Sequence, residues 1–120
     1  MNDGLNSFSR YNGRNKAVAW VVFDGTTGTI QSSYNIRSVQ RDSAGQYSIE
    51  LAVALPDTNY CVFGTAKTDG TNNPFVCLRT GTGTPTTKQI RVIGVTTAPA
   101  AALFDSSEVH VVFFGDALTS

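Results

Sequence analysis

Short apolar runs separated by turns rich in Gly, Asn, Asp, Thr and Pro make up the chain, and no window carries a sustained helical period. The first run, residues 17–23, reads Ala-Val-Ala-Trp-Val-Val-Phe. Strand alternation puts Ala17, Ala19, Val21 and Phe23 on one face and Val18, Trp20 and Val22 on the other, so both faces are apolar. The run stops at Asp24-Gly25, a hairpin signal in which Gly25 is expected to supply the positive φ of the turn. After Gly28 an alternating strand follows, with Ile30, Tyr34 and Ile36 on one face, and residues 41–45 read as a turn. Residues 46–53 alternate cleanly: Tyr47, Ile49, Leu51 and Val53 face in, while Gln46, Ser48 and Glu50 face out. Residues 60–63 are again apolar on both faces, and the short run 75–78 lies between two polar loops, 67–74 and 80–87. In residues 88–97, Ile90 and Val92 share one face and Ile93 and Val95 the other, a switch that predicts a bulge. Residues 97–104 read as a long connection with room for one helical turn. The closing run, 108–114, has Val109, Val111 and Phe113 on one face and His110, Val112 and Phe114 on the other.

About seven short strands at roughly ten-residue spacing predict an all-β fold, an antiparallel β-sandwich. Residues 1–16 are expected to form an extended arm or linker, partly anchored by Leu5, Phe8 and Tyr11, and residues 17–120 the sandwich domain. At 120 residues the chain is long enough for a single core without staples. The two-sided runs then need cover on both faces. Parallel strands meet that need with crossover helices, and the pattern has none. The second face is therefore predicted to be covered by another copy of the chain, with Val18, Trp20, Val22, Phe63, His110, Val112 and Phe114 forming the subunit interface and its adjoining core. Cover by the chain's own loops is the competing reading, which short loop lengths disfavour.

Composition narrows the partners. Formal charge balances to zero and only 15% of residues are charged, below the usual quarter or so. A basic patch for nucleic acid or an anionic membrane is not expected, and nothing in the net charge holds copies apart. No apolar run reaches the ~20 residues of a membrane helix, and no signal-peptide pattern opens the chain. Cys61 and Cys77 lie in apolar runs and read as buried free thiols rather than a disulfide.

The chemistry search is mostly negative. His110, the one histidine, reads as packed and hydrogen-bonded rather than as a base or metal ligand. No nucleophile elbow is present, no carboxylate pair is marked, and the glycines at 25, 28, 81 and 83 lack the strand–turn–helix setting of a phosphate loop. No enzyme, no metal and no cofactor are expected. The polar loops carry the candidate recognition residues Lys67, Asp69, Asn72, Asn73, Phe75, Thr82 and Thr84, whose amides and hydroxyls suit hydrogen bonds to sugar hydroxyls. Residues 98–107 form a third candidate loop, and Trp20, Phe23, Tyr34, Tyr47 and Tyr60 are expected to build the fold.

One set of residues resembles a known family. Lys16-Ala-Val-Ala-Trp20-Val-Val-Phe23-Asp24-Gly25, then Ser33-Tyr34-Asn35-Ile36, Gly45-Gln-Tyr47 and Leu55-Pro56-Asp57-Thr58-Asn59-Tyr60, is similar to a C-terminal module of bacteriophage tail-fibre and related virion proteins. The likeness extends through Ile90-Arg-Val92 to residues 109–116, and departs from the family pattern at Val22 and Gln31. It implies a trimeric β-sandwich on the virion, made in the host cytoplasm and attaching to a host surface glycan or protein receptor. Other fibre or baseplate proteins would be its neighbours. The alternative within the same setting is a structural virion protein, such as a head fibre, a decoration protein or a fibre-assembly module.

Overall fold

The computed structural model describes residues 17–79, 87–95 and 101–116. Among these residues the chain forms nine strands and no helix: β1 (Ala17–Phe23), β2 (Ile30–Tyr34), β3 (Ile36–Ser43), β4 (Gln46–Leu51), β5 (Cys61–Ala66), β6 (Asn73–Leu78), β7 (Thr87–Val95), β8 (Ala101–Leu103) and β9 (Val109–Phe114). All pairs are antiparallel. One sheet runs β2-β1-β9-β5; the other runs β3-β4-β7-β6, with β8 added to β7. The chain is all-β, with two more strands than the spacing of apolar runs suggested. Both extra strands escape for simple reasons. β3 is mostly polar and exposed, and β8, three residues long, occupies part of the stretch expected to be a connection with a helical turn.

The turn after β1 is closed by Asp24. Its carbonyl accepts from Gly28 N at 2.7 Å, and its carboxylate accepts from Thr26 N and Thr26 Oγ1 at 2.8 and 2.6 Å. Those bonds hold the Asp24 carboxyl below the ordinary carboxylate range. The positive φ falls on Gly28, at 83°, and not on Gly25. Gly25 is required for a different reason: a Cβ there would press into the Ser106 carbonyl oxygen and the Tyr47 hydroxyl. Its N–H donates to Ser106 O at 2.8 Å, and its carbonyl accepts from Tyr47 Oη at 2.6 Å.

The alternating run after Gly28 is two strands in two sheets. The chain passes between them at Asn35, which takes φ 58°, a left-handed conformation that Asn tolerates better than most residues. Its side chain secures the crossing, donating from Nδ2 to Val18 O at 3.0 Å and accepting from Val53 N at 2.9 Å. Val53 thereby lies beyond the end of β4 and is exposed, whereas Tyr47, Ile49 and Leu51 are fully buried. β7 pairs with both neighbours in unbroken register, so the bulge expected there is absent. Register shifts occur instead in β1, at residues 17–19 against β9 and 22–23 against β2, and in β3. The first of these buries both Val18 and Ala19 and takes Val18 off the face it was expected to share with Trp20 and Val22.

Both sheets supply the core. Val18, Ala19, Val21 and Phe23 of β1 and Val109, Val111 and Phe113 of β9 cluster with Tyr47, Ile49 and Leu51 of β4, together with Leu55 and Tyr60. The Phe23 and Tyr47 rings meet edge to face, centroids 5.0 Å apart, a contact worth about 1 kcal/mol beyond its burial. A polar clasp closes one end. Asp105 accepts from Arg41 Nε and Nη2 at 3.1 and 2.8 Å and from Gly45 N at 2.8 Å, and it shares with Gly25 O the one hydrogen of the Tyr47 hydroxyl, whose Oη lies 3.1 Å away. Burial opposes ionisation of Asp105, but these donors outweigh it and hold the carboxyl below its usual range. Burial, with Asp105 alongside, pushes the Tyr47 phenol well up, so Tyr47 remains a neutral donor.

Candidate functional site

The outer face of the β2-β1-β9-β5 sheet exposes Trp20, Tyr34 and Phe63, whereas the other exposed large apolar side chains, Val53, Phe75, Leu78 and Leu103, lie elsewhere. In β9 the alternation is regular: Val109, Val111 and Phe113 are buried, while His110, Val112 and Phe114 turn to the other side. In β1, Trp20 and Val22 do the same. In β5, Cys61, Phe63 and Thr65 are exposed. Register then assembles rows. Trp20 lies opposite Tyr34 on one side and Val112 on the other, and Val112 lies opposite Phe63. The row Tyr34–Trp20–Val112–Phe63 crosses all four strands, with neighbours about 4.8 Å apart between strands. The next row is Ser32–Val22–His110–Thr65, and Phe114 pairs with Cys61 beyond the first.

Phe63 is 71% exposed, Tyr34 57% and Trp20 37%. Between Trp20 and Phe63 the face dips into a groove of about 330 Å³, walled by Trp20, Val22, Phe63, Thr65, His110 and Val112. Gly64 lets the sheets approach behind it, since a Cβ there would stand 2.8 Å from both His110 O and the Val76 side chain. One polar pair interrupts the apolar surface: His110 Nε2 and Glu108 Oε2 are 2.7 Å apart, with side chains 50% and 42% exposed. His110 is thus hydrogen-bonded as expected but half open to solvent rather than packed. Cys61 is also exposed and Cys77 half-buried, and both thiols are free. They are not the buried pair that their apolar surroundings suggested.

Of the residues expected at an interface, Trp20, Val22, Phe63, His110, Val112 and Phe114 come together on this face, and Val18 lies in the core behind it. Tyr34, expected to help build the fold, belongs to the outer face as well. Glu108 was not singled out in the sequence, although its place two residues before His110 on the same side of a strand is a readable signal.

The recognition residues are more scattered. The loop from β5 to β6 is fastened at its base: Lys67 N donates to Glu108 O at 2.9 Å, and the buried Ser106 Oγ donates to Lys67 O at 2.8 Å. Asp69 organises its tip, accepting from Thr71 N and Asn72 N at 2.8 and 2.7 Å and from Asn72 Nδ2 at 2.8 Å. The bonds from Asn72 and Thr71 hold the Asp69 carboxyl low. The Asn72 amide is therefore engaged within the loop. Asn73 and Phe75 belong to β6, where Phe75 is 62% exposed. Thr82 and Thr84 lie outside the described residues, as does the arm 1–16. Among the described residues no group of three or more His, Cys, Asp or Glu is placed to hold a metal.

No family model matches the chain, and no curated protein or solved structure shows significant similarity to it.

Proposed function

We propose that this chain is a non-enzymatic β-sandwich module of a virion fibre or other virion surface appendage, assembled as a homotrimer and serving host-cell attachment. The observation that carries the assembly is the exposed row Tyr34–Trp20–Val112–Phe63 and the groove beside it. An aromatic row of this kind, with aliphatic neighbours, has the character of a core cut in half. A second copy of the chain is the occupant it fits. The groove is walled by uncharged side chains and His110, so the surface offered to a second copy is largely apolar. The number three rests on the resemblance to fibre modules.

Attachment rests on that resemblance and on the polar loop 67–72, which joins β5, an edge strand of one sheet, to β6, an edge strand of the other. Weak contacts repeated on three copies gain avidity without a deep pocket. The structural-protein reading draws on one observation: Asp69, Thr68 and Asn72 spend their polar groups on one another. Binding of the assembled protein to arrayed glycans and to host surfaces separates the two. Attachment predicts binding that is lost in a Lys67→Ala, Asn73→Ala double variant of unchanged mass. An intact assembly that binds no host surface overturns attachment and leaves the structural role.

A further inference from the structure

We infer that the His110–Glu108 pair makes assembly across this face pH-dependent, association taking up a proton at His110. The inference rests on the assembly proposed above.

The surroundings of the pair decide the sign. His110 lies opposite Val22 of β1 and Thr65 of β5, with Trp20 and Phe63 beside them and Ser32 beyond on β2. Among the described residues, none of these strands presents a charged or titratable side chain to His110 within the groove, and Glu108 is the acidic partner, at 2.7 Å. Lys67, just past β5, is exposed and is tied to Glu108 through backbone atoms.

On the free copy, water solvates imidazole and carboxylate alike. A second copy seated on the groove removes that water. A neutral imidazole beside an ionised Glu108 then leaves one uncompensated negative charge in an apolar interface, which is costly. Protonated His110 against ionised Glu108 is neutral as a pair and already in hydrogen-bond contact. The assembled state therefore favours the protonated imidazole more strongly than the free copy does. By linkage, association strengthens as pH falls and weakens as pH rises through the range where imidazole loses its charge.

Two substitutions give opposite signatures. His110→Gln removes the titrating group, so the response vanishes. Glu108→Gln leaves protonated His110 as the uncompensated charge, so association releases a proton and strengthens with rising pH. The bond from Lys67 N to the Glu108 backbone carbonyl survives this change.

The test is sedimentation equilibrium of the full chain and both variants at about pH 5.5 and about pH 7.5, on either side of the imidazole range. For the unsubstituted protein the higher pH weakens association by about tenfold per protomer, the order expected when one proton is taken up over part of that interval. His110→Gln shows no change and Glu108→Gln a change of opposite sign. Assembly that is equally tight at both pH values overturns the inference and leaves the assembly standing. A response that persists in His110→Gln, or keeps its sign in Glu108→Gln, also overturns it. A protein that is monomeric at both pH values overturns the assembly, and the inference with it.

Discussion

At the scale of single residues, the fold depends on close approaches that no pattern of polar and apolar positions displays. Gly25 was expected to matter for its backbone freedom, yet it matters for space, because Ser106 O and Tyr47 Oη occupy the volume a Cβ would need. Gly25→Ala should therefore cost about 3 kcal/mol in chemical denaturation, from overpacking and the strained Tyr47 bond. Asp105 is equally hidden in the sequence, since its donors come from positions 41, 45 and 47. Replacing it by Asn should destabilise the protein by about 2 kcal/mol near neutral pH. The folded-state carboxyl titrates below its usual range, so its contribution is complete above the unfolded-state value of about 4. That contribution fades as pH falls through the lower folded-state value. Urea midpoints of the Asp105→Asn and unsubstituted proteins should therefore converge in acid.

Among the elements, β1 shows what was readable and what was not. Its double apolar face is plain in the sequence, and Val21 and Phe23 face the core while Trp20 and Val22 face out, as alternation requires. The register shift at residues 17–19 is not encoded in periodicity, and it places Val18 in the core, where alternation alone would put it on the outer face. Asn35 shows a similar limit: the alternation of Ile30, Tyr34 and Ile36 runs through it unbroken, and only its left-handed φ separates β2 from β3. The outer face followed from period and residue type, whereas Tyr34 joined it through cross-strand register and Glu108 through its contact with His110. The two faces of the β2-β1-β9-β5 sheet should respond differently to substitution. Phe23→Ala should destabilise the fold by about 4 kcal/mol. Phe63→Glu, on an exposed strand position, should leave circular dichroism and the denaturation midpoint of the single subunit nearly unchanged while abolishing assembly. Parallel spectroscopy and sedimentation distinguish these outcomes.

For the whole molecule, two antiparallel sheets share one core and leave a broad apolar face without cover from the described residues of the same chain. A protein with zero net charge and Phe63, Tyr34 and Trp20 exposed on one sheet has little to keep its copies apart. Solution mass by light scattering at micromolar concentration tests this most directly. The expected result is a particle three times the 12.8 kDa of the chain, reduced to single subunits by Phe63→Glu. A 12.8 kDa monomer for the unsubstituted protein would contradict the account.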